Sequence, residues 1–275
     1  MVSMNRLSGE KRTQVVKALV EGNSIRATVR MTGVAKNTIS KLLLDLGREC
    51  FAFQDGEMQN LTCKRLQCDE IWAFVGAKAK NVKPGHPEEF GDVWTWVAID
   101  ADTKLVPSWW IGGRTTTDAV YFMRDLASRL THRVQLTTDG YKPYLTAVDD
   151  AFGEIDYAVL HKLYGNDPKE PQRRYSSGTC IGQEKRIVKG DPEWEHISTS
   201  YVERQNLTMR MSMRRFTRLT NAFSKKLENL MAAVSLHFMH YNFARVHKTL
   251  GVTPAMAAGI ADHVWTVEEI VGLLG

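Results

Sequence analysis

Long hydrophobic runs are missing from this sequence. None of its uninterrupted apolar stretches reaches the about 18 residues that a membrane-spanning helix needs, so we expect no membrane partner. The first residues also lack the apolar stretch of a signal peptide, because Arg6, Lys11 and Arg12 lead into an amphipathic segment. We therefore expect a cytosolic protein.

Cysteine is scarce, and its spacing excludes the common metal motifs. Cys63 and Cys68 have four residues between them and no histidine nearby, which is a poor arrangement for zinc. Internal repeats and low-complexity tracts are also absent. We interpret the four cysteines as reduced packing residues; they are Cys50, Cys63, Cys68 and Cys180.

Positive charge is concentrated at the start of the chain. Residues 1–48 contain nine lysines and arginines against three acids, a net charge of +6, whereas the whole chain of 275 residues carries +5. A basic N-terminal segment followed by a nearly neutral remainder indicates that residues 1–48 have a polyanionic partner. A solvated helical face is the alternative interpretation.

The same segment has the periodicity of three short helices. Ser8 and Ser24 are suited to cap the first two, and the third is predicted from Lys36 to Leu46. Helix, glycine-containing turn and helix form the helix-turn-helix layout, in which the start of the last helix enters the major groove of DNA. The side chains there suit contacts to bases and phosphates; they are Lys36, Asn37, Thr38, Ser40 and Lys41.

The periodicity changes to that of strands after residue 63. Three apolar, β-branched or aromatic segments follow one another, at 65–75, 93–100 and 104–111. Helices at 117–130 and 143–152 then alternate with strands at 133–138 and 155–160, and further helices follow from Tyr201. This order predicts an α/β fold, a mixed sheet flanked by helices.

The predicted organisation has four parts. Residues 1–48 form an all-α helix-turn-helix DNA-binding domain, residues 49–63 a linker, residues 64–258 the α/β domain, and residues 259–275 a tail. Residues 161–199 are polar and lack a clear period. We interpret them as a flexible or hairpin-bearing insertion near the active site.

Three acids stand where a metal site would need them. Asp69 lies within the first strand, Asp139 follows the fourth strand and precedes Gly140, and Glu203 opens a helix. Two carboxylates on strands and one on a helix suit two Mg²⁺ ions for phosphodiester chemistry. Because strand side chains alternate in direction, we expect Asp69 to reach the site and Glu70 to face away.

A strongly basic stretch follows Glu203. Seven lysines and arginines occur from Arg204 to Lys226 with no acid among them. Glu203 and Arg210 are seven residues apart, two turns along one helix face. Bound DNA phosphate would need a cation on that face.

These motifs together resemble the DDE transposases of bacterial insertion sequences, nearest to the IS-one group, whose core is RNase H-like. The resemblance covers roughly residues 60 to 258. It rests on Asp69-Glu70-Ile71-Trp72, Thr138-Asp139-Gly140, Glu203-Arg204 with Asn206, Arg210, and a C-terminal signature that includes Arg214-Arg215, Arg218, Tyr241-Asn242 and His247. The chain lacks the N-terminal cysteine zinc motif common near this group.

The resemblance implies a specific chemistry. Asp69, Asp139 and Glu203 would be catalytic and would bind two Mg²⁺ ions, with Mn²⁺ able to substitute. The enzyme would cleave double-stranded DNA at an element's terminal repeats and transfer the cut strand to target DNA. It would work as a homo-oligomer on nucleoid DNA. The residues positioning the DNA phosphates would be Arg204, Asn206, Arg210 and Arg214.

Three other functions are weighed against this one. A transposase-derived regulator would bind DNA without catalysis, but it would not need all three acids. A tyrosine or serine recombinase would need an activated hydroxyl, for which Tyr241 with Arg245 and His247 is the candidate. A plain RNase H would not need the helix-turn-helix.

Overall fold

A computed structural model describes residues 7–165, 179–217 and 220–275. Arg6, Arg218 and residues 166–178 of the predicted insertion lie outside the described residues. Within the described ranges, no helix combines the length and hydrophobicity needed to cross a bilayer.

Three helices form the N-terminal region, as predicted. They are α1 (Gly9–Val20), α2 (Ile25–Thr32) and α3 (Lys36–Glu57). The hydroxyls of Ser8 and Ser24 accept hydrogen bonds from the first turns of α1 and α2. Gly33 ends α2 with a φ of 71°, a left-handed conformation that glycine adopts without strain.

The predicted end of α3 is wrong. Residues 49–57 were assigned to a linker, but they continue α3 as regular helix to Glu57. The sequence suggested a break because Gly47 and two charged residues follow Leu46. Gly47 is instead a packing position: a Cβ built there would lie 2.5 Å from the Cα of Ala232, in the helix that crosses α3. Buried Cys50 and Gln54 continue the inward face beyond it.

One six-stranded mixed sheet lies behind these helices. Its order is β3-β2-β1-β4-β5-β6; β1, β4 and β5 are parallel, and the other neighbours are antiparallel. The strands are β1 (Arg65–Val75), β2 (Gly91–Asp100), β3 (Ser108–Gly112), β4 (Gln135–Thr138), β5 (Asp156–Gly165) and β6 (Thr179–Lys189).

Helices cover both faces of the sheet. One apolar cluster joins α4 and α5 to the even-numbered side of β1, and it also contains Ile39 and Leu42 of α3. A second cluster joins α6 and α7 to the odd-numbered side, at Ile71. The remaining helices are α4 (Thr116–Ser128), α5 (Pro143–Ala151), α6 (Ser200–Ser212), α7 (Leu227–Met239), α8 (Pro254–Ala257) and α9 (Val267–Gly272). The predicted fold class, an α/β mixed sheet flanked by helices and preceded by an all-α region, is confirmed.

The polar insertion contributes to the sheet. β5 runs five residues beyond its predicted end at Leu160, and β6 pairs with it antiparallel. The alternation was obscured because β6 is an edge strand whose side chains are mostly polar and mostly exposed. The hairpin expected within residues 161–199 is therefore formed by these two strands.

Candidate active site

Asp69 and Asp139 are neighbours because of strand register. The parallel pairing of β1 and β4 ends with Cys68 opposite Thr138, so the next residue on each strand is an aspartate. Their side chains, each partly buried, leave the sheet at its carboxyl edge. The two predicted acids are thus brought together, at the edge where parallel sheets bind ligands.

Glu70 lies in the same carboxylate group as the two aspartates, although its side chain starts from the opposite face of β1. One oxygen each from Asp69, Glu70 and Asp139 lie within 4.8 Å of one another. Alternation does send Glu70 toward the opposite face, where the Tyr144 hydroxyl donates to it at 3.1 Å. However, β1 continues seven residues past its last pair with β4. Side chains from both faces can therefore meet beyond the end of β4.

Arg114 holds the Glu70 carboxylate. Its Nε donates to Oε1 at 2.7 Å, and its guanidinium stacks over the Tyr141 ring with 4.1 Å between Cζ and the ring centre. The Tyr141 hydroxyl in turn donates to the Arg114 carbonyl at 2.6 Å. This arrangement fixes the buried side chain of Glu70 beside the aspartates.

Helix α6 brings Glu203 beside the aspartates without adding it to their group. The Nδ2 of Asn206 donates to Oδ2 of Asp69 at 2.8 Å, which ties α6 to β1. Glu203, one turn earlier, forms an ion pair with Lys162 of β5 and accepts from the Thr199 hydroxyl at 2.7 Å. Among the described residues, Glu203 is therefore adjacent to the carboxylate group but held by a cation.

The carboxylate group is electrostatically strained. Burial, followed by the charges of Glu70 and Asp139, raises the pKa of Asp69 to about 7. Burial also raises the pKa of Glu70 and of Asp139, although Arg114 opposes the shift in both. Each raised pKa means that the fold disfavours the charged form of that carboxylate, because the site is partly buried and its negative charges lie close together.

The donors fit a divalent cation. Three carboxylates supply the hard oxygen ligands that Mg²⁺ and Mn²⁺ prefer, and a bound cation would offset the charge that raises these pKa values. Asn206 adds a further oxygen, since its Oδ1 is buried and has no hydrogen-bond partner among the described residues. Asp69 and Asp139 of the predicted pattern therefore belong to a chemically suitable group, and Glu203 lies beside that group on α6.

The predicted DNA-binding residues fall in two regions. Lys36, Asn37, Thr38 and Lys41 are exposed at the start of α3, with Ser40 partly buried, and Lys41 pairs with Asp45. Arg204 and Arg214 are exposed after Glu203, and Arg210 is partly buried. Asn206 differs from these because it is 4% exposed and bonded to Asp69. Its Nδ2 therefore already uses one of its two donor hydrogens on Asp69.

Three residues beside the aspartates were not predicted as site residues: Glu70, Arg114 and Lys162. Glu70 was dismissed by strand alternation, although it directly follows Asp69. Gly140, which follows Asp139, is a close-packing position: a Cβ there would lie 2.2 Å from Nδ1 of His161. The glycine after Asp139 thus allows the neighbouring strand to approach the acids.

Comparisons with known proteins find likeness among solved structures alone. No protein-family model and no curated protein sequence matches the chain. A piggyBac transposase synaptic complex with hairpin DNA is 11% identical, with a TM-score of 0.41, over 100% of this chain and 72% of that one. The Mos1 strand transfer complex is 14% identical, with a TM-score of 0.22, over 56% of this chain and 59% of that one.

A Mos1 mariner paired-end complex with Mn is also similar, at 14% identity and a TM-score of 0.21, over 56% of this chain and 60% of that one. The chain thus spans about three fifths of the length of the Mos1 chains. Scores this low support no transfer of residue roles.

Proposed function

We propose that this protein is a DDE transposase that cuts and joins DNA with divalent metal ions. The observation that carries the proposal is the junction of Asp69 and Asp139 at the ends of parallel strands, with Glu203 beside them on α6. Within this class, the motifs quoted above favour the bacterial insertion sequences nearest to IS-one.

The acids would hold the metal, and their neighbours would orient them. Asp69, Asp139 and Glu203 would hold two Mg²⁺ or Mn²⁺ ions, which supply Lewis-acid polarisation of a phosphodiester and a nucleophile at neutral pH. Asn206 orients Asp69 through its 2.8 Å hydrogen bond. Lys162 holds Glu203 beside the group before DNA arrives.

The DNA would approach from the basic side of α6. Arg204, Arg210 and Arg214 follow Glu203 without an intervening acid, so phosphates flanking the cut would meet positive charge. The exposed start of α3 would read the element's terminal repeats, with residues 1–48 serving as the DNA-binding part. Cutting two element ends requires at least two active sites, so we propose a homo-oligomer on DNA.

The test is strand cleavage of a labelled duplex from the DNA that flanks the protein's own coding sequence. With Mg²⁺, wild-type protein is expected to nick or cut the duplex, and Asp139→Asn is expected to bind it without cutting. Asp149→Asn is the matched control, because Asp149 is an exposed acid of α5 far from the carboxylate group. Cleavage that survives Asp139→Asn would refute the proposal.

Two further outcomes separate the alternatives. DNA binding with no cleavage by any form would favour the regulator without catalysis. Glu203→Gln and Glu70→Gln distinguish the third acid: loss of cleavage in the first, with retention in the second, identifies Glu203. The reverse result would assign that role to Glu70, whose oxygen already lies within 4.8 Å of the aspartates.

A further inference from the structure

A large groove separates the N-terminal helices from the segment after α6. Its volume is about 1070 Å³. One wall includes Arg26, Lys36 and Ser40 from the starts of α2 and α3. The other includes residues 212–215 and eight of the ten residues 220–229. The groove is distinct from the carboxylate group, none of whose members lines it.

The groove is lined by unpaired positive charge. Six lysines and arginines face it against one acid, Glu228, which lies 3.5 Å from Lys226. The other five form no ion pair with any carboxylate in the described part of the chain; they are Arg26, Lys36, Arg214, Arg215 and Lys225. Cations from two distant parts of the sequence therefore converge on one cleft.

Arg215 is the most informative of these cations. It is partly buried, and its Nη1 donates to the Ser224 hydroxyl at 3.1 Å. Burial lowers the pKa of Arg215 to about 10, so the side chain stays charged at neutral pH without a counter-ion among the described residues. Enclosing an unpaired guanidinium costs free energy, which a bound anion would offset.

We propose that this groove binds the phosphate backbone of duplex DNA, with Arg215 as its inner phosphate anchor and Arg26 on the opposite wall. The inference rests on the proposed DNA partner but not on catalysis. Lys36, Asn37 and Ser40 line the groove, while Thr38 and Lys41 do not. The start of α3 therefore has one side toward the groove and another free to contact bases.

Strand β1 connects the groove to the active site. Val75, at the end of β1, forms a β-bridge with Ser224, the hydrogen-bond partner of Arg215. Val75 lies six positions after Asp69, which corresponds to about 20 Å along a strand. The same distance along a duplex is roughly six base pairs. The groove would thus hold DNA more than half a helical turn from the scissile phosphate.

The test measures how salt weakens binding of the full chain to a labelled duplex of about three helical turns, in EDTA. The logarithm of the binding constant is followed between about 50 and 200 mM salt. Arg215→Gln and Arg26→Gln are each expected to reduce the slope by about 0.9, the value for one lost phosphate contact. The double variant is expected to reduce the slope by the sum of the two single reductions.

Controls separate a binding role from a structural one. Arg124→Gln removes the same charge from α4, outside the groove, and should leave the slope unchanged. Arg215→Gln should not lower the unfolding temperature, because it removes an unpaired enclosed charge. If that variant fails to fold, exposed Lys225→Gln on the same wall replaces it. Unchanged slopes in the groove variants would overturn the proposal.

The two proposals fail separately. The assay contains no divalent cation, so it is independent of cleavage. Asp139→Asn should lose cleavage but keep the wild-type salt dependence of DNA binding. Arg215→Gln should instead reduce that salt dependence. Mg²⁺-dependent cleavage together with unaltered slopes would refute the groove alone.

Discussion

The side-chain amide of Asn206 donates to the carboxylate of Asp69 across 2.8 Å, joining α6 to the central strand of the sheet. Asn206→Ala removes this donor from a partly buried carboxylate. We expect the pKa of Asp69 to rise further above 7, because a hydrogen bond to the charged form is lost. NMR titration of the metal-free protein measures this shift.

The control for that variant comes from the same helix. Gln205 is 2% exposed and forms no hydrogen bond with Asp69. Gln205→Ala should therefore leave the Asp69 titration unchanged while causing a similar loss of buried volume. Equal shifts in both variants would mean that packing of α6, rather than the amide of Asn206, controls Asp69.

The carboxylate group predicts an unusual dependence of stability on pH. The folded-state pKa of Asp69, about 7, exceeds its ordinary value of 3.8, so the folded protein binds more protons than the unfolded chain between these values. In EDTA the Asp69 contribution should therefore lower the free energy of unfolding as pH rises through this window, by at most ~1.4 kcal/mol per pH unit.

Urea unfolding of wild type and Asp69→Asn, compared at pH 5 and pH 8, isolates this contribution. The free energy of unfolding of Asp69→Asn, relative to that of wild type, should be higher at pH 8 than at pH 5. Added Mg²⁺ should reduce that shift if the acids bind it. A wild type that gains stability relative to Asp69→Asn with rising pH would contradict the electrostatic account.

Two glycines of α3 should respond in opposite directions to the same substitution. At Gly47 an added Cβ would lie 2.5 Å from the Cα of Ala232, so Gly47→Ala should destabilise the protein by ~1–3 kcal/mol despite alanine's better helix propensity. At Gly56 nothing lies within 4 Å of the added Cβ, so Gly56→Ala should stabilise it by ~0.5–1 kcal/mol.

Chemical unfolding of both variants provides the measurement. A stabilising Gly47→Ala would mean that α3 and α7 are separated in solution, and hence that residues 36–57 do not share the core of the sheet. The matched pair controls for helix propensity, since the two glycines belong to the same helix.

Lys162 should compete with a divalent cation for Glu203. Lys162→Gln removes the ion pair and a positive charge beside the acids, so Mn²⁺ should bind about five- to tenfold tighter, equivalent to ~1 kcal/mol. Calorimetric titration of the metal-free protein measures it. Lys185→Gln is the control, because Lys185 contacts the Trp194 carbonyl instead. Weaker binding in Lys162→Gln would mean that the lysine organises Glu203 for the metal.

Local patterns predicted the strands of the α/β part of the fold well. The strand β1 was predicted with its observed bounds, because it is rich in apolar and aromatic residues and turn-like segments separate it from its neighbours. Asp69 and Asp139 could be predicted as neighbours because each lies at a strand position that the fold brings to one edge. Such features depend on residues close together in sequence.

The errors came from contacts between distant segments. α3 extends past Gly47 because Ala232 packs there, and no local pattern contains that contact. Glu70 joins the acids because β4 is shorter than β1, which depends on the sheet as a whole. Lys162 was overlooked because β5 was predicted to end before it. Arg215 was noted only as part of the basic stretch, because no local pattern shows that it lacks a counter-ion.

The continuity of α3 has a mechanical consequence. Its 22 residues form one rod about 33 Å long. At its far end Gln54 donates to the Ser235 carbonyl, and Arg129 binds Asp55 and the Met58 carbonyl. Because α3 is one continuous helix held at its C-terminal end, no flexible segment separates its exposed N-terminal end from the sheet. DNA bound at Lys36 would therefore keep a fixed distance and orientation relative to Asp69. Under the proposed function, the recognised bases and the cleaved phosphate would then be a fixed number of base pairs apart.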